Sequence, residues 1–305
     1  MTERCGDLVI RVHGGHHYVQ TPDGVIDCTI RGRLKQGRNR SDLVVIGDRV
    51  CWTPTESGFG IIESVIPRKR VLSRRPPPPR PGALADREQV IIANPDQVLV
   101  VFAHRNPEPN PLMLDRYLVA CEAVGLPVVI VANKCDLVPD HAGDPFALYR
   151  QIGYRVMPTS AATGTGIEAL RDTLRGRLSV LTGPSGTGKS SLLNALWPDL
   201  QLKTGEISEY HDRGRHTTVV ASLFTPEADI QVADTPGLRV FMFWNLPREQ
   251  LDAQFPEMRP YLERCRYQPC THVHEPDCAV REAVASGAIP GARYESYLKM
   301  FAYGF

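Results

Sequence analysis

The stretch LSVLTGPSGTGKSSLLNAL constrains the fold more than any other part of this chain. It fits Gly-x-x-x-x-Gly-Lys-Ser, preceded by an apolar run and followed by an apolar-periodic one. The order strand, glycine loop, helix is the context a phosphate-binding loop requires. Gly183, Gly186 and Gly188, with Pro184, Ser185 and Thr187 between them, let the backbone curl until its N–H groups converge on phosphate oxygens. The N-terminus of the following helix, at Ser190 and Ser191, adds favourable dipole charge. Lys189 is placed to neutralise the β- and γ-phosphates, and the Ser190 hydroxyl to ligate Mg²⁺. A loop of this kind does not by itself distinguish ATP from GTP.

The base is addressed earlier in the chain. VVIVANKCDLV sets Asn133, Lys134, Cys135 and Asp136 just after an apolar strand, at the strand edge where open α/β sheets bind ligands. A carboxylate at Asp136 accepts from both the N1–H and the exocyclic amine of guanine, a donor pair adenine lacks. Asn133 is suited to N7, and the stem of Lys134 to the base plane. MPTSAATGTG brings Ser160 and Ala161 into the loop after the next strand, where a backbone N–H can meet guanine O6. From Gln89 onward apolar strands alternate with amphipathic helices, which predicts a largely parallel sheet covered on both faces.

Two switch elements follow the phosphate loop. VADTPGLRVF gives Asp234 to hold Mg²⁺ through water and Gly237 to face the γ-phosphate. EYHDRGRHTTVV offers Thr217 or Thr218 to close over the metal, with Thr217 preferred. Leu238 stands where Ras-like GTPases use glutamine to orient the attacking water. An apolar side chain cannot do that, so hydrolysis needs another group. His216 beside the switch threonines is one candidate, and a group from a bound partner is the other.

The elements therefore run base reader, second base loop, phosphate loop, switch I, switch II. An ordinary GTPase domain has the last three first, so the domain reads as circularly permuted, which is tolerated where original termini lie close together. With NKCD, TSA, GPSGTGKSSLLN, GRHTT, DTPGLRVF and the C-terminal cysteines, the chain resembles the RsgA family of small-ribosomal-subunit-dependent GTPases over nearly its whole length. That resemblance implies a permuted GTPase domain between an N-terminal OB fold and a C-terminal zinc domain. It also implies a monomer whose GTP hydrolysis is stimulated by the small subunit, acting late in that subunit's maturation.

The flanking segments read independently in the same direction. Residues 1–70 hold short alternating strands between turns, the pattern of a small OB-type β-barrel. Residues 1–80 carry 14 Lys and Arg against 8 Asp and Glu, so an excess of six positive charges sits on a chain of net charge +1. Such a bias suits an anionic partner such as nucleic acid, which the resemblance implies is rRNA. Arg31, Arg33, Lys35, Arg38 and Arg40 are the candidate phosphate contacts. Residues 71–88, with four consecutive prolines, read as an extended spacer. Residues 89–243 form the GTPase domain and 244–305 a mainly helical zinc module.

In that module CRYQPCTHVHEPDC provides Cys265, Cys270, Cys278 and an imidazole, His272 or His274, as tetrahedral Zn²⁺ ligands. The family pattern favours His272. A closed four-ligand site is structural and helps fold a small domain. The remaining cysteines, Cys5, Cys28, Cys51 and Cys121, read as small apolar residues in a reducing compartment. No apolar run reaches the ~20 residues of a bilayer span, and the charged N-terminus is unlike a signal peptide, so a cytoplasmic setting is expected. The expected function is a ribosome-stimulated GTPase. The alternatives are a GTP-dependent RNA-binding switch with little stimulated turnover, or a kinase or ATPase with an accidental Asn-Lys-x-Asp.

Overall fold

The structure is a computed structural model and describes residues 2–32, 43–56, 58–74, 89–138, 143–202, 222–234 and 246–304. Five strands, β1 (Arg4–His13), β2 (His16–Thr21), β3 (Gly24–Ile30), β4 (Arg49–Pro54) and β5 (Gly60–Val65), close a barrel in the order β1-β2-β3-β5-β4. Alternation sends Val9, Val19, Cys28, Val50, Trp52 and Ile62 inward. Gly60 makes the barrel narrow at one point: a Cβ there would lie 2.4 Å from Cys28 Sγ and 2.7 Å from the Trp52 ring. Leu43–Ile46 is buried irregular chain leading into β4.

Two expectations for this region are corrected. Cys5 and Cys51 are not separate apolar residues but a disulfide joining β1 to β4, where they are register partners. Their 46-residue separation hides a pairing that only barrel closure creates. The spacer also begins later than expected. Val71–Arg74 is a strand, β6, paired antiparallel with β7 (Gln89–Ala93). Leu72 and Ile92 from this ribbon are buried in a core that runs from Leu8 and Ile46 into the next domain. The proline run itself lies outside the described residues. Arg68 clamps the junction by a bidentate pair, at 2.8 Å for each bond, to the fully buried Asp48.

The second domain is a six-stranded sheet of β8 (Gln97–Ala103), β9 (Val128–Asn133), β10 (Arg155–Pro158), β11 (Arg177–Thr182), β12 (Ser222–Glu227) and β13 (Ile230–Asp234). The order is β10-β9-β8-β11-β13-β12, parallel except for the edge strand β12. The strand that feeds the phosphate loop, β11, lies centrally between β8 and β13. The chain thus lays down one half of the sheet, returns to its middle, and builds the other half. Helices α1 (Pro111–Ala123), α2 (Ala147–Gln151), α3 (Ile167–Leu174) and α4 (Lys189–Leu196) connect or follow these strands. Pro111 at the first turn and the Asn110 side chain, accepting from Met113 N–H at 3.1 Å, start α1.

The C-terminal module is less regularly helical than expected. Its first part is three short 3₁₀ segments between Arg248 and Arg264, followed by α5 (Ala279–Ala285) and α6 (Gly291–Tyr303). Pro247, Pro256 and Pro260 deny donors to a continuous α-helix. Leu251, Phe255, Met258, Val280, Ile289, Tyr297 and Met300 form its core, which Val119 of α1 enters from the second domain. Among the described residues, no helix is long and apolar enough to cross a membrane.

Candidate nucleotide site and candidate metal centre

Every described element of the nucleotide site lies at the C-terminal edge of the parallel strands. The phosphate loop follows β11, the base reader follows β9, the second base loop follows β10, and Asp234 ends β13 opposite Leu181 of β11. A cleft of about 470 Å³ lies between them, lined by Asn106, Asn133, Lys134, Asp136, Leu137, Ala161, Ala162, Gly188 and Ser191. That volume is within the range of small-molecule sites.

The base reader and phosphate loop are joined directly. Asn133 is 1% exposed, and its Nδ2 donates to Thr187 O at 2.8 Å. Thr159 Oγ1 donates to Asn133 Oδ1 at 3.3 Å, which fixes the orientation of the carboxamide. One Nδ2 hydrogen is thereby left directed away from Thr187. Lys134, in the left-handed conformation with φ 58°, donates from Nζ to Asn106 O and, at 2.8 Å, to Gly186 O. Asp136 is exposed at the cleft. Burial pushes the Cys135 thiol up and the Asp136 charge adds to it, so Cys135 stays a neutral spacer in the motif.

Close approach explains two motif glycines. A Cβ on Gly188 (φ 92°) would stand 2.3 Å from Asn133 Nδ2, and one on Gly183 (φ 138°) 2.2 Å from Val101 O. Lys189 Nζ is held by Gly183 O at 2.9 Å and Pro184 O at 2.7 Å, on the floor of the loop. Ser190 and Ser191 open α4 as expected, while Ser185 and Gly186 are exposed. Ser160 is fully buried and spends its N–H on Thr165 O, so Ala161 and Ala162 are the residues of that loop that reach the cleft. His216, Thr217, Thr218, Gly237 and Leu238 lie outside the described residues, as do Arg33, Lys35, Arg38 and Arg40. Arg31 is exposed and ion-paired with Glu63. Sequence reasoning missed Asn106, Leu137 and Ala162 as lining residues. FAHRNP, following an apolar strand at the same sheet edge, was the available signal for the first of these.

At the other end of the chain, one ligand atom each from Cys265, Cys270, His272 and Cys278 falls within a 4.8 Å cluster. With Zn–S near 2.3 Å and Zn–N near 2.0 Å, a tetrahedron has edges of roughly 3.8 Å between sulfurs and roughly 3.5 Å between sulfur and nitrogen. Cys265 Sγ lies 3.8 Å from Cys278 Sγ and 3.6 Å from His272 Nδ1, and Cys278 Sγ lies 3.3 Å from that nitrogen. The donor set therefore fits the ion. His274 is exposed and outside the cluster, which selects His272 as the imidazole. Asp252 Oδ2, 3.1 Å from His272 Nε2, accepts that proton and leaves Nδ1 for the metal, a contact with no signature in the sequence. Tyr294 and Tyr297 hold the ligand loop by hydroxyl donation, at 2.6 Å each, to His272 O and Thr271 O.

Comparison with known proteins agrees with this arrangement. The family model for the RsgA GTPase matches residues 65–244. The chain belongs to the RsgA GTPase family. The small ribosomal subunit biogenesis GTPase RsgA of Gemmatimonas aurantiaca is 45% identical over 304 residues, covering 98% of this chain and 97% of its own length. The Moorella thermoacetica protein of the same name is 44% identical, covering 96% and 95%. Among solved structures, YjeQ from Thermotoga maritima aligns with a TM-score of 0.78 and 34% identity over 99% of each chain. YloQ, described as a circularly permuted GTPase, aligns with a TM-score of 0.74 and 28% identity, covering 99% of this chain and 95% of that one. The domain order, the permuted sheet and GTP hydrolase activity are thus those of the RsgA family.

Proposed function

We propose that this GTPase acts in the late maturation of the small ribosomal subunit, binding its rRNA through the barrel and the metal module, with turnover stimulated by the subunit. The observation that supports the nucleotide part is the Asn133–Thr187 hydrogen bond, which joins the Asn-Lys-x-Asp turn to the phosphate loop across 54 residues. In that site Asp136 would accept from guanine N1–H and N2–H, and the second Nδ2 hydrogen of Asn133 would meet N7. An amide of the Ala161–Ala162 turn would face O6. The loop from Gly183 to Gly188 would wrap the phosphates, and Lys189 would leave its carbonyl partners to neutralise them. Ser190, Thr217 and, through water, Asp234 would hold Mg²⁺, which supplies charge neutralisation between the β- and γ-phosphates. His216 or a group from the subunit would orient the attacking water that Leu238 cannot.

Cys265, Cys270, His272 and Cys278 would hold Zn²⁺ as a structural ion, since four protein ligands leave no open position. The basic run Arg31, Arg33, Lys35, Arg38 and Arg40 supports an rRNA contact by the barrel, and the surface stack of Arg11 on Tyr18, 3.7 Å from the ring centroid, is a ready platform. The protein is expected to work as a cytoplasmic monomer. The test is GTP hydrolysis titrated with purified small subunits. A saturable rise in turnover is expected, and turnover unchanged by subunits would leave a GTP-dependent binding switch instead. Asp136→Asn should shift preference from GTP to a xanthine nucleotide. Unchanged preference would remove the guanine assignment.

A further inference from the structure

His104, the residue after β8, is not part of any motif in the chain, yet it touches the guanine reader from behind. Its backbone N–H donates to Asn133 O at 2.8 Å, and its ring Nδ1 lies 3.3 Å from the same oxygen. A carbonyl oxygen only accepts, so the Nδ1 position carries the proton in this contact. The ring is 7% exposed and held in place on its other sides. Phe146 packs edge-on at a centroid distance of 4.9 Å, and Asp144 Oδ1 stands 3.7 Å from Nε2. Asp144 is itself fixed by the Phe146 N–H at 2.9 Å and by Arg150. Burial pushes the Asp144 carboxyl up, but these donors and His104 outweigh it and hold it below the ordinary carboxylate range.

Asn133 therefore has its main chain held by His104 and its carboxamide held by Thr159 and Thr187. The carboxamide has a narrow tolerance: it must reach Thr187 O with one hydrogen and the base with the other. A buried histidine with satisfied partners is ordinarily a packing residue. Here its backbone N–H and its Nδ1–H converge on one acceptor, and that acceptor belongs to the base-reading residue. We propose that His104 is a positioning residue for guanine recognition, fixing the Asn133 carbonyl and, through it, the carboxamide that meets purine N7. This rests on the guanine-site assignment above.

The consequence is a loss of nucleotide affinity more than of chemistry. A positioned hydrogen bond of this type corresponds to roughly tenfold in binding. His104→Leu keeps the buried volume and removes the donor. His104→Asn places an amide nitrogen near the position of Nδ1. With the full-length protein, dissociation constants for GDP and for 7-deaza-GDP, which lacks the N7 acceptor, are measured by fluorescent-nucleotide competition, alongside GTP KM and kcat. The expected pattern has four parts. His104→Leu weakens GDP about tenfold and raises KM with kcat within about twofold of wild type. His104→Asn restores binding to within about twofold. The leucine penalty disappears with 7-deaza-GDP, and circular dichroism melting is alike for both variants. GDP affinity of His104→Leu equal to wild type, an asparagine variant as weak as leucine, or an equal penalty with 7-deaza-GDP would each overturn the proposal. A global fold defect would weaken both nucleotides alike and so appears as the last of these. Failure of the underlying site assignment has a different signature: the wild-type protein itself would bind ADP as well as GDP.

Discussion

Replacing Arg293 with methionine probes the contact between the metal module and the GTPase domain. Arg293 of α6 is 1% exposed. Its Nη1 donates to Asp115 Oδ1 of α1 at 2.6 Å and its Nε to Glu257 Oε1 at 2.6 Å, and the guanidinium lies 4.6 Å from the Phe255 ring centroid. Burial disfavours its charge, but the two carboxylates outweigh that and hold its pKa further above the ordinary arginine value. Methionine preserves much of the stem while leaving Asp115 (1% exposed) and Glu257 (5%) without their cation. Asp115 then retains only the Tyr149 hydroxyl, at 3.0 Å, among its partners described here. Stranding a buried charge in this way costs about 3–5 kcal/mol. A chain of several domains has no single unfolding free energy, so the local quantity is hydrogen exchange of the α1 and α6 amides. Exchange there should accelerate by roughly two to three and a half orders of magnitude, with barrel amides unchanged. Combining Arg293→Met with Asp115→Asn should cost less than the sum of the two single changes, since the second removes a charge the first has stranded. A loss below about 1 kcal/mol, the level of exposed ion pairs, would refute the view that this triad is a buried clasp.

Three further outcomes are expected. Asp252→Ala should lower zinc affinity about 10–100-fold in a chelator competition, because the His272 Nε2 proton loses its acceptor; unchanged affinity would mean that the carboxylate does not orient the ligand. Gly188→Ala should weaken GTP roughly tenfold or more, since its Cβ would stand 2.3 Å from Asn133 Nδ2 at a φ of 92°; wild-type binding would show that the loop rearranges freely. Burial pushes the Glu275 carboxyl up, but donation from Thr271 and neighbouring amides outweighs it and brings the pKa from 4.5 down to about 2. With the folded value depressed, this group's stabilisation is complete above 4.5 and fades as pH falls toward 2. The stability advantage of wild type over Glu275→Gln should therefore shrink across that window in pH-dependent melts, and an advantage that grew on acidification would contradict the assignment.

The motifs were legible because each depends on local chemistry. A glycine loop between strand and helix, an Asn-Lys-x-Asp at a strand end and a dense run of thiols identify themselves within a dozen residues. The β-barrel was readable from alternation, and the parallel sheet from the alternation of strand and helix. What could not be read depends on partners far along the chain. Cys5 and Cys51 meet only when β1 and β4 close the barrel. The strand at Val71–Arg74 looked like part of a proline spacer because its partner, Gln89–Ala93, follows the prolines. His104 and Asp252 carry no motif, and their roles arise from what the fold brings to their ring nitrogen and carboxylate.

The sequence by itself pointed to a guanine nucleotide as the ligand, and it held the permuted order of the elements and the candidate metal donor set up to the choice of imidazole. Those follow from residue type and short spacing, which survive any rigid rearrangement of the rest. Only the tertiary structure decided that His272 rather than His274 completes the metal cluster and that Ala161–Ala162 rather than Ser160 reaches the cleft. It also decided that α1 is shared between two cores, through Val119 on one side and Leu114 and Leu118 on the other, with Asp115 in the clasp between domains. These are questions of which surface a side chain faces after long-range packing, and residues in contact across 178 positions leave no local trace of it.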